Sequence, residues 1–242
     1  MTGFYTSGDG WGIRGFQGVS LLDFPGRVAS LIFLGGCTCR CPFCHNPSLV
    51  LPRLLSLGDE LSISQVMSDV ARRRKLITGV VISGGEPTLQ EDLLLELLRE
   101  AKALGLATKL DTNGFRPRVL EKVLDEGLVD VVAMDIKTSP LRYPVATGGR
   151  DFGPVAESLE ILKNKASHCI LRTTLVPGVV DLEDMEEIAS LAQGASEYHL
   201  QPFSGRVTLD PQYEGMSAYP PHVMEEMARV LEKEGLTVVR LW

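Results

Sequence analysis

One pairing repeats along the chain and constrains its fold more than any other feature. From residue 28 onward, a short apolar run is followed by a stretch with apolar residues at helical spacing, six times over. The runs at 28–34, 79–83, 106–110, 129–134, 169–176 and 197–200 read as buried strands. The stretches at 62–76, 90–104, 116–126, 152–165, 182–192 and 221–234 read as helices, and 236–241 as a last strand. Ser62 or Ser64 can cap the first helix, and Gly105 and Gly127 close the next two. Strand–helix alternation at this spacing implies a parallel sheet with right-handed crossovers.

The residues just past the strands choose between the two parallel architectures. The polar and glycine-rich segments Cys37 to Asn46, Gly84-Gly85-Glu86-Pro87, Asp111-Thr112-Asn113-Gly114, Asp135-Ile136-Lys137 and Gln201-Pro202-Phe203-Ser204 all follow strand C-termini. β/α barrels assemble their sites at that end of the strands. The expected fold class is therefore α/β, a partial (β/α)6 TIM-like barrel over residues 28–242. Residues 1–27 read as an N-terminal extension, with a hairpin at 18–26 around Pro25-Gly26. The proline-interrupted stretch 46–59 reads as loop. The Pro-, Gly- and Tyr-rich segment 205–221 reads as a lid or a partner contact.

Composition narrows the function classes. The 242 residues are 44% hydrophobic, enough for one large domain with a sizeable core. A formal charge of −7 argues against a general polyanion surface, so no nucleic-acid partner is expected. The basic run Arg72-Arg73-Arg74-Lys75 reads as a solvated helix end interacting favourably with the helix dipole. No window approaches ~18 apolar residues, so no membrane span is expected. The start of the chain lacks the basic-then-apolar pattern of a signal peptide. A cytoplasmic location is the default expectation.

Four of the five cysteines fall between residues 37 and 44. Such crowding in a reducing compartment reads as metal or cluster ligation rather than as a disulfide framework. Cys37, Cys41 and Cys44 form C-x3-C-x2-C on a loop leaving a strand. A loop of that length can wrap three thiolates around one corner of a [4Fe–4S] cube and leave the fourth iron open. Zinc held by three thiolates and His45 is the rival, but structural zinc sites usually draw on two separated knuckles. Cys39 reads as a small hydrophobe in the spacer. Phe43 either stacks on a flat heterocycle or anchors the loop.

The other strand ends supply polar groups. Gly84 and Gly85 let a ligand approach the backbone, and Glu86 can receive an ammonium group. Asp111 and Asp135 on neighbouring strands need a cation or a proton between them, and Lys137 is another solution. Each aspartate read alone is as well explained as a helix N-cap. Arg172, inside an apolar strand, needs an anionic partner such as a ligand carboxylate or Asp135. Cys169 reads as core. None of His45, His168, His199 and His222 is assigned to catalysis; His45 flanks the cysteines.

The C-x3-C-x2-C loop followed by Gly84-Gly85-Glu86-Pro87 resembles the radical S-adenosylmethionine (SAM) superfamily. Ser20 to Gly26, Cys41 to Pro47, Asp111 to Gly114, Ala133 to Lys137 and Arg172 to Gly178 resemble the activating enzymes of glycyl-radical enzymes. The likeness is strongest to the activases of anaerobic ribonucleoside-triphosphate reductase and runs from about Val19 to about Pro211. It implies an oxidoreductase in which Cys37, Cys41 and Cys44 hold a [4Fe–4S] cluster and SAM chelates the fourth iron. It implies that Phe43 lies against the adenine and that Glu86, with the Gly84-Gly85 backbone, receives the methionine ammonium. Asp111, Thr112, Met134 (through its carbonyl) and Asp135 match positions that hold a monovalent cation, and Lys137 and Arg172 match polar positions of the same pocket. The implied reaction is reductive cleavage of SAM, by an electron from a flavodoxin- or ferredoxin-type donor, to a 5′-deoxyadenosyl radical. That radical abstracts a glycine Cα hydrogen from a partner glycyl-radical protein. Two departures bear on the partner. Ser204 stands where the pyruvate formate-lyase activases have histidine, and no further cysteine cluster accompanies the first, unlike the activases of the glycerol dehydratase type. The competing reading is a radical SAM enzyme acting on a small molecule, RNA or peptide, such as a 7-carboxy-7-deazaguanine synthase.

Overall fold

The computed structural model describes residues 11–55 and 59–242. The first ten residues of the expected extension, and 56–58 of the expected loop, lie outside the described residues. Eight strands form one sheet in sequence order. They are β1 (Ile13–Ser20), β2 (Ala29–Leu34), β3 (Gly79–Gly84), β4 (Ala107–Thr112), β5 (Val131–Asp135), β6 (Cys169–Leu175), β7 (Glu197–Pro202) and β8 (Val238–Arg240). β1 runs antiparallel to β2, and every later pair is parallel. A doubly wound sheet reverses its strand order at a switch point. This sheet does not, so it is a partial barrel, open between β1 and β8.

Nine α-helices join the strands among the described residues: α1 (Pro47–Val50), α2 (Pro52–Leu55), α3 (Ile63–Arg73), α4 (Glu91–Ala103), α5 (Pro117–Asp125), α6 (Tyr143–Thr147), α7 (Gly153–Lys165), α8 (Met185–Leu191) and α9 (Pro221–Lys233). Ser62 caps α3 in a capping box with Gln65. The expected 46–59 loop contains α1 and α2 because Pro47 and Pro52 each sit at a first helical position, where a missing N–H costs nothing. The expected 182–192 helix begins as a 3-10 turn, Leu182–Asp184, before α8.

Strand alternation separates two environments. Ile32, Leu34, Val80, Ile82, Leu110, Val132, Met134, Leu171 and Leu200 join the large core with the buried faces of the helices. On the other face, Leu31 and Val81 pack with Phe24 and Ala29 in a small separate cluster. Further round this inner face the residues become polar: Lys109 and Asp111 on β4, Asp135 on β5, Arg172 on β6, Glu197 and His199 on β7.

The expected 18–26 hairpin is the turn of a longer one, whose first arm β1 begins at Ile13. Gly15 and Gly18 interrupt the alternation that would have marked it. Their missing side chains leave room for the Phe33 ring and the Arg73 guanidinium. Gln90 ties this hairpin to the barrel. Its Oε1 accepts from the Gly12 N–H at 2.9 Å, and its Nε2 donates to the Gly35 carbonyl at 3.0 Å. Gln90→Leu should lower unfolding free energy by about 1–3 kcal/mol in urea titration, because two partly buried backbone groups lose their partners. A loss below about 0.5 kcal/mol, the usual range for a surface substitution, would contradict this role.

Candidate active site

The cysteine loop leaves β2 through Gly35-Gly36 and is fixed mainly by backbone. The Gly36 N–H donates to the Leu49 carbonyl at 2.7 Å. Gly36 has φ +82°, and a Cβ there would strike the Trp11 ring. Arg40 stiffens the loop from within: its Nη1 donates to the carbonyls of Cys37 (3.0 Å) and Cys39 (2.7 Å). Its own N–H donates to the Thr147 carbonyl of α6 at 2.9 Å. All four clustered cysteines line one cavity of ≈ 290 Å³, together with Phe43, Gly84, Gly85, Asp111, Thr112, Asn113, Asp135, Lys137 and Arg172. Asn113 Nδ2 donates to Cys37 Sγ at 3.5 Å and Cys39 Sγ at 3.6 Å. Burial, then the neighbouring Cys37 and Cys41 sulfurs, push the Cys39 thiol well above its ordinary value. Burial likewise pushes Cys44 up to about 11. Phe43 is 5% exposed and packs tilted against Tyr213, ring centroids 6.4 Å apart. The 205–221 segment thus lies on the cysteine loop, and Asp210 N–H donates to the Pro42 carbonyl at 2.8 Å.

At the end of β3, Gly84 and Gly85 line the cavity and Glu86 does not. Its carboxylate is fully buried and its oxygens are taken by the chain. Oε1 accepts from Thr88 N–H (3.1 Å), Thr88 Oγ1 (2.6 Å) and Thr112 Oγ1 (2.8 Å), and Oε2 from Asn113 N–H (2.7 Å). Burial raises its pKa against these donors. Glu86, expected to receive an ammonium group, is bonded within the chain, where it braces the Thr112-Asn113 turn that aims the Asn113 amide at Cys37.

Three cations and two carboxylates meet on the inner face. Asp111 Oδ1 accepts from Lys109 Nζ, and Oδ2 from Arg172 Nη1 at 3.2 Å. Asp135 Oδ1 accepts from Arg172 Nε at 2.9 Å, and Oδ2 from Lys137 Nζ at 2.7 Å. β-sheet register sets Asp135 directly beside Arg172. Burial alone would raise both aspartates, but the Arg172 charge and the adjacent lysines outweigh it, holding Asp111 low and Asp135 at about 2. Of the expected cation-site residues Asp111, Thr112, Met134 and Asp135, the three with side-chain oxygens already bond within the chain. The Arg172 guanidinium stands between the two carboxylates, Thr112 Oγ1 donates to Glu86, and the Met134 side chain packs in the core. Sequence reading missed Lys109, although its spacing of two from Asp111 puts both on one face of a strand. It also missed Arg40 and the part played by Asn113.

Among the described residues, no group of three His, Cys, Asp or Glu side chains can hold a single metal ion. Zinc needs its donors within ~2.0–2.3 Å of one point, whereas a four-iron cube spreads its ligands over separate irons. The donor set, cysteine thiols on one loop, therefore fits a cluster better than zinc. Nor is any helix among these residues long and apolar enough to cross a membrane.

The profile of the radical SAM superfamily matches residues 31–192. A Methanocaldococcus jannaschii protein, assigned by inference as a glycyl-radical enzyme activating enzyme, is 32% identical over 91% of this chain and 92% of its own length. The pyruvate formate-lyase 1-activating enzyme of Escherichia coli is 29% identical over 94% of this chain and 97% of its own. Among solved structures, anSMEcpe with bound AdoMet is similar in fold at 18% identity, with a TM-score of 0.60 over 84% of this chain and 60% of that one. The chain belongs to the radical SAM superfamily and, within it, to the family of glycyl-radical enzyme activating enzymes.

Two outcomes test this geometry. In Gly85→Ala the new Cβ would press into the Gly36 carbonyl oxygen, backbone against backbone. Thermal unfolding should therefore show a clear loss of stability, on the order of 2 kcal/mol, and a variant as stable as the parent would contradict the packing. The depressed pKa of Asp135 makes its charged form a stabilising one above the ordinary value of 3.8, with that contribution lost as pH falls toward about 2. The stability gap between the parent and Asp135→Asn should be on the order of 2 kcal/mol at neutral pH. It should shrink across this acid window in denaturant titrations; a gap independent of pH would contradict the ion-pair assignment.

Proposed function

We propose that the chain activates a glycyl-radical enzyme, with an anaerobic ribonucleoside-triphosphate reductase as its partner, using a [4Fe–4S] cluster and SAM. The observation that carries this reading is one cavity bringing together the C-x3-C-x2-C thiols, a glycine backbone edge and the Lys137 and Arg172 cations. Cys37, Cys41 and Cys44 would hold the cluster. SAM carries a carboxylate, which Lys137 and Arg172 can receive, and an ammonium, which can meet the open backbone at Gly84 and Gly85. When bound and reduced by a flavodoxin- or ferredoxin-type donor, the two groups supply a carbon-centred radical able to take a hydrogen atom from a glycine Cα.

The chain's own residues position and insulate. Asn113 offers an N–H to Cys37 Sγ, which helps to hold that sulfur in place. Arg40 holds two loop carbonyls, so the sulfurs keep their places when the loop is loaded. Phe43, backed by Tyr213, offers an apolar wall for a flat base. Burial of Cys37 and Cys41 keeps water from the reactive centre, where it would compete with the intended C–H. The partner assignment draws its support from the motif set shared with the ribonucleotide reductase activases.

Anaerobic reconstitution gives the first check. Cys37→Ala, Cys41→Ala and Cys44→Ala should each lose the iron–thiolate absorption and the bound iron, whereas Cys39→Ala should keep both. Retention in any of the first three would remove the ligand assignment. For function, the reduced enzyme, SAM and the reductase should give the EPR doublet of a glycyl radical. SAM cleavage without a doublet, for every glycyl-radical protein of the same genome, would favour the small-molecule, RNA or peptide reading.

A further inference from the structure

We propose that this chain supplies the counter-charge of its Asp111–Asp135 pair from its own side chains and takes no monovalent cation there, with Lys109 as the positioning residue that makes this possible. Two buried carboxylates on adjacent strands repel each other unless positive charge lies between them. Here each of the four carboxylate oxygens already has a cationic donor: Lys109 and Arg172 on Asp111, Arg172 and Lys137 on Asp135. The five side chains sum to one net positive charge. A further cation would have to share carboxylate oxygens that already hold a cationic donor, and would enter against that charge.

Lys109 separates this arrangement from one that needs an ion. Its side chain is 3% exposed, and a buried ammonium is stable only when paired. It rises along the inner face of β4 to the Asp111 carboxylate two residues on. The other acids of this inner face are engaged: Glu197 Oε2 with His199 at 2.6 Å, and Asp23 Oδ2 with Ser20 Oγ at 2.5 Å. With Lys109 on one Asp111 oxygen, Arg172 is free to span both aspartates and line the cavity. The net positive row then suits an anionic ligand group, and on the reading above that group is the SAM carboxylate.

The test compares SAM affinity of the reconstituted holoenzyme in potassium buffer and in tetramethylammonium buffer, followed by equilibrium dialysis. The parent should bind equally within about twofold in the two, a difference well under 1 kcal/mol. Lys109→Met should bind on the order of tenfold more weakly in tetramethylammonium and recover when potassium is added, while Lys109→Arg should behave as the parent. A merely structural lysine would weaken binding without creating a potassium response, and that outcome overturns its role. Crystals of the parent soaked in a thallium(I) salt provide a readout independent of SAM and of any variant's folding. No anomalous peak should lie between Asp111 and Asp135; a peak there, or a tenfold gain of the parent in potassium, overturns the proposal. If the parent fails to bind SAM in either buffer, the cavity assignment fails, and the thallium map alone decides the counter-charge.

Discussion

The guanidinium of Arg172 is the contact on which the inner face of this barrel depends. It joins Asp111 of β4 to Asp135 of β5 from a position on β6, so three strand ends share one electrostatic unit. Removing it would leave two carboxylates facing each other in a buried space, a situation that costs several kcal/mol. The unit also faces the cavity that the cysteines line. The same charges that hold three strands in register therefore define the polarity of the site, and Lys137 carries that polarity toward the cysteine loop.

A second device lies beside it. Glu86 looks in the sequence like a ligand-binding residue, but its two oxygens accept four hydrogen bonds from the chain. A buried carboxylate so fully satisfied works as an internal brace. It fixes the turn after β4, and that turn presents Asn113 to the sulfurs. The cysteine loop is thus held from three directions: by Arg40 within it, by Asn113 beside it, and by the 205–221 segment packed on Phe43.

Much of this was legible before any coordinates. Alternating apolar runs and helical spacings recur so regularly that the sequential parallel sheet follows, and the strand-end residues mark which edge carries the site. β1 was not legible, because Gly15 and Gly18 remove the period-two signal that a strand otherwise shows. The partners of Glu86 within the chain were not legible either, since Thr88, Thr112 and Asn113 reach it only through the fold. Lys109 lay within reach: a charged residue two before Asp111 in an apolar strand shares its face. Arg172 was correctly expected to need an acid, and the fold provides two.

The central claim is that the cavity holds a three-cysteine [4Fe–4S] cluster whose open iron is met by the amino and carboxylate groups of SAM. Electron–nuclear double resonance on the reduced, reconstituted chain, with SAM labelled with 15N in its amino group and 17O in its carboxylate, tests this most directly. Coupling of both labels to the cluster is the predicted result. A reduced cluster whose spectrum carries neither coupling with labelled SAM at saturation would contradict the account.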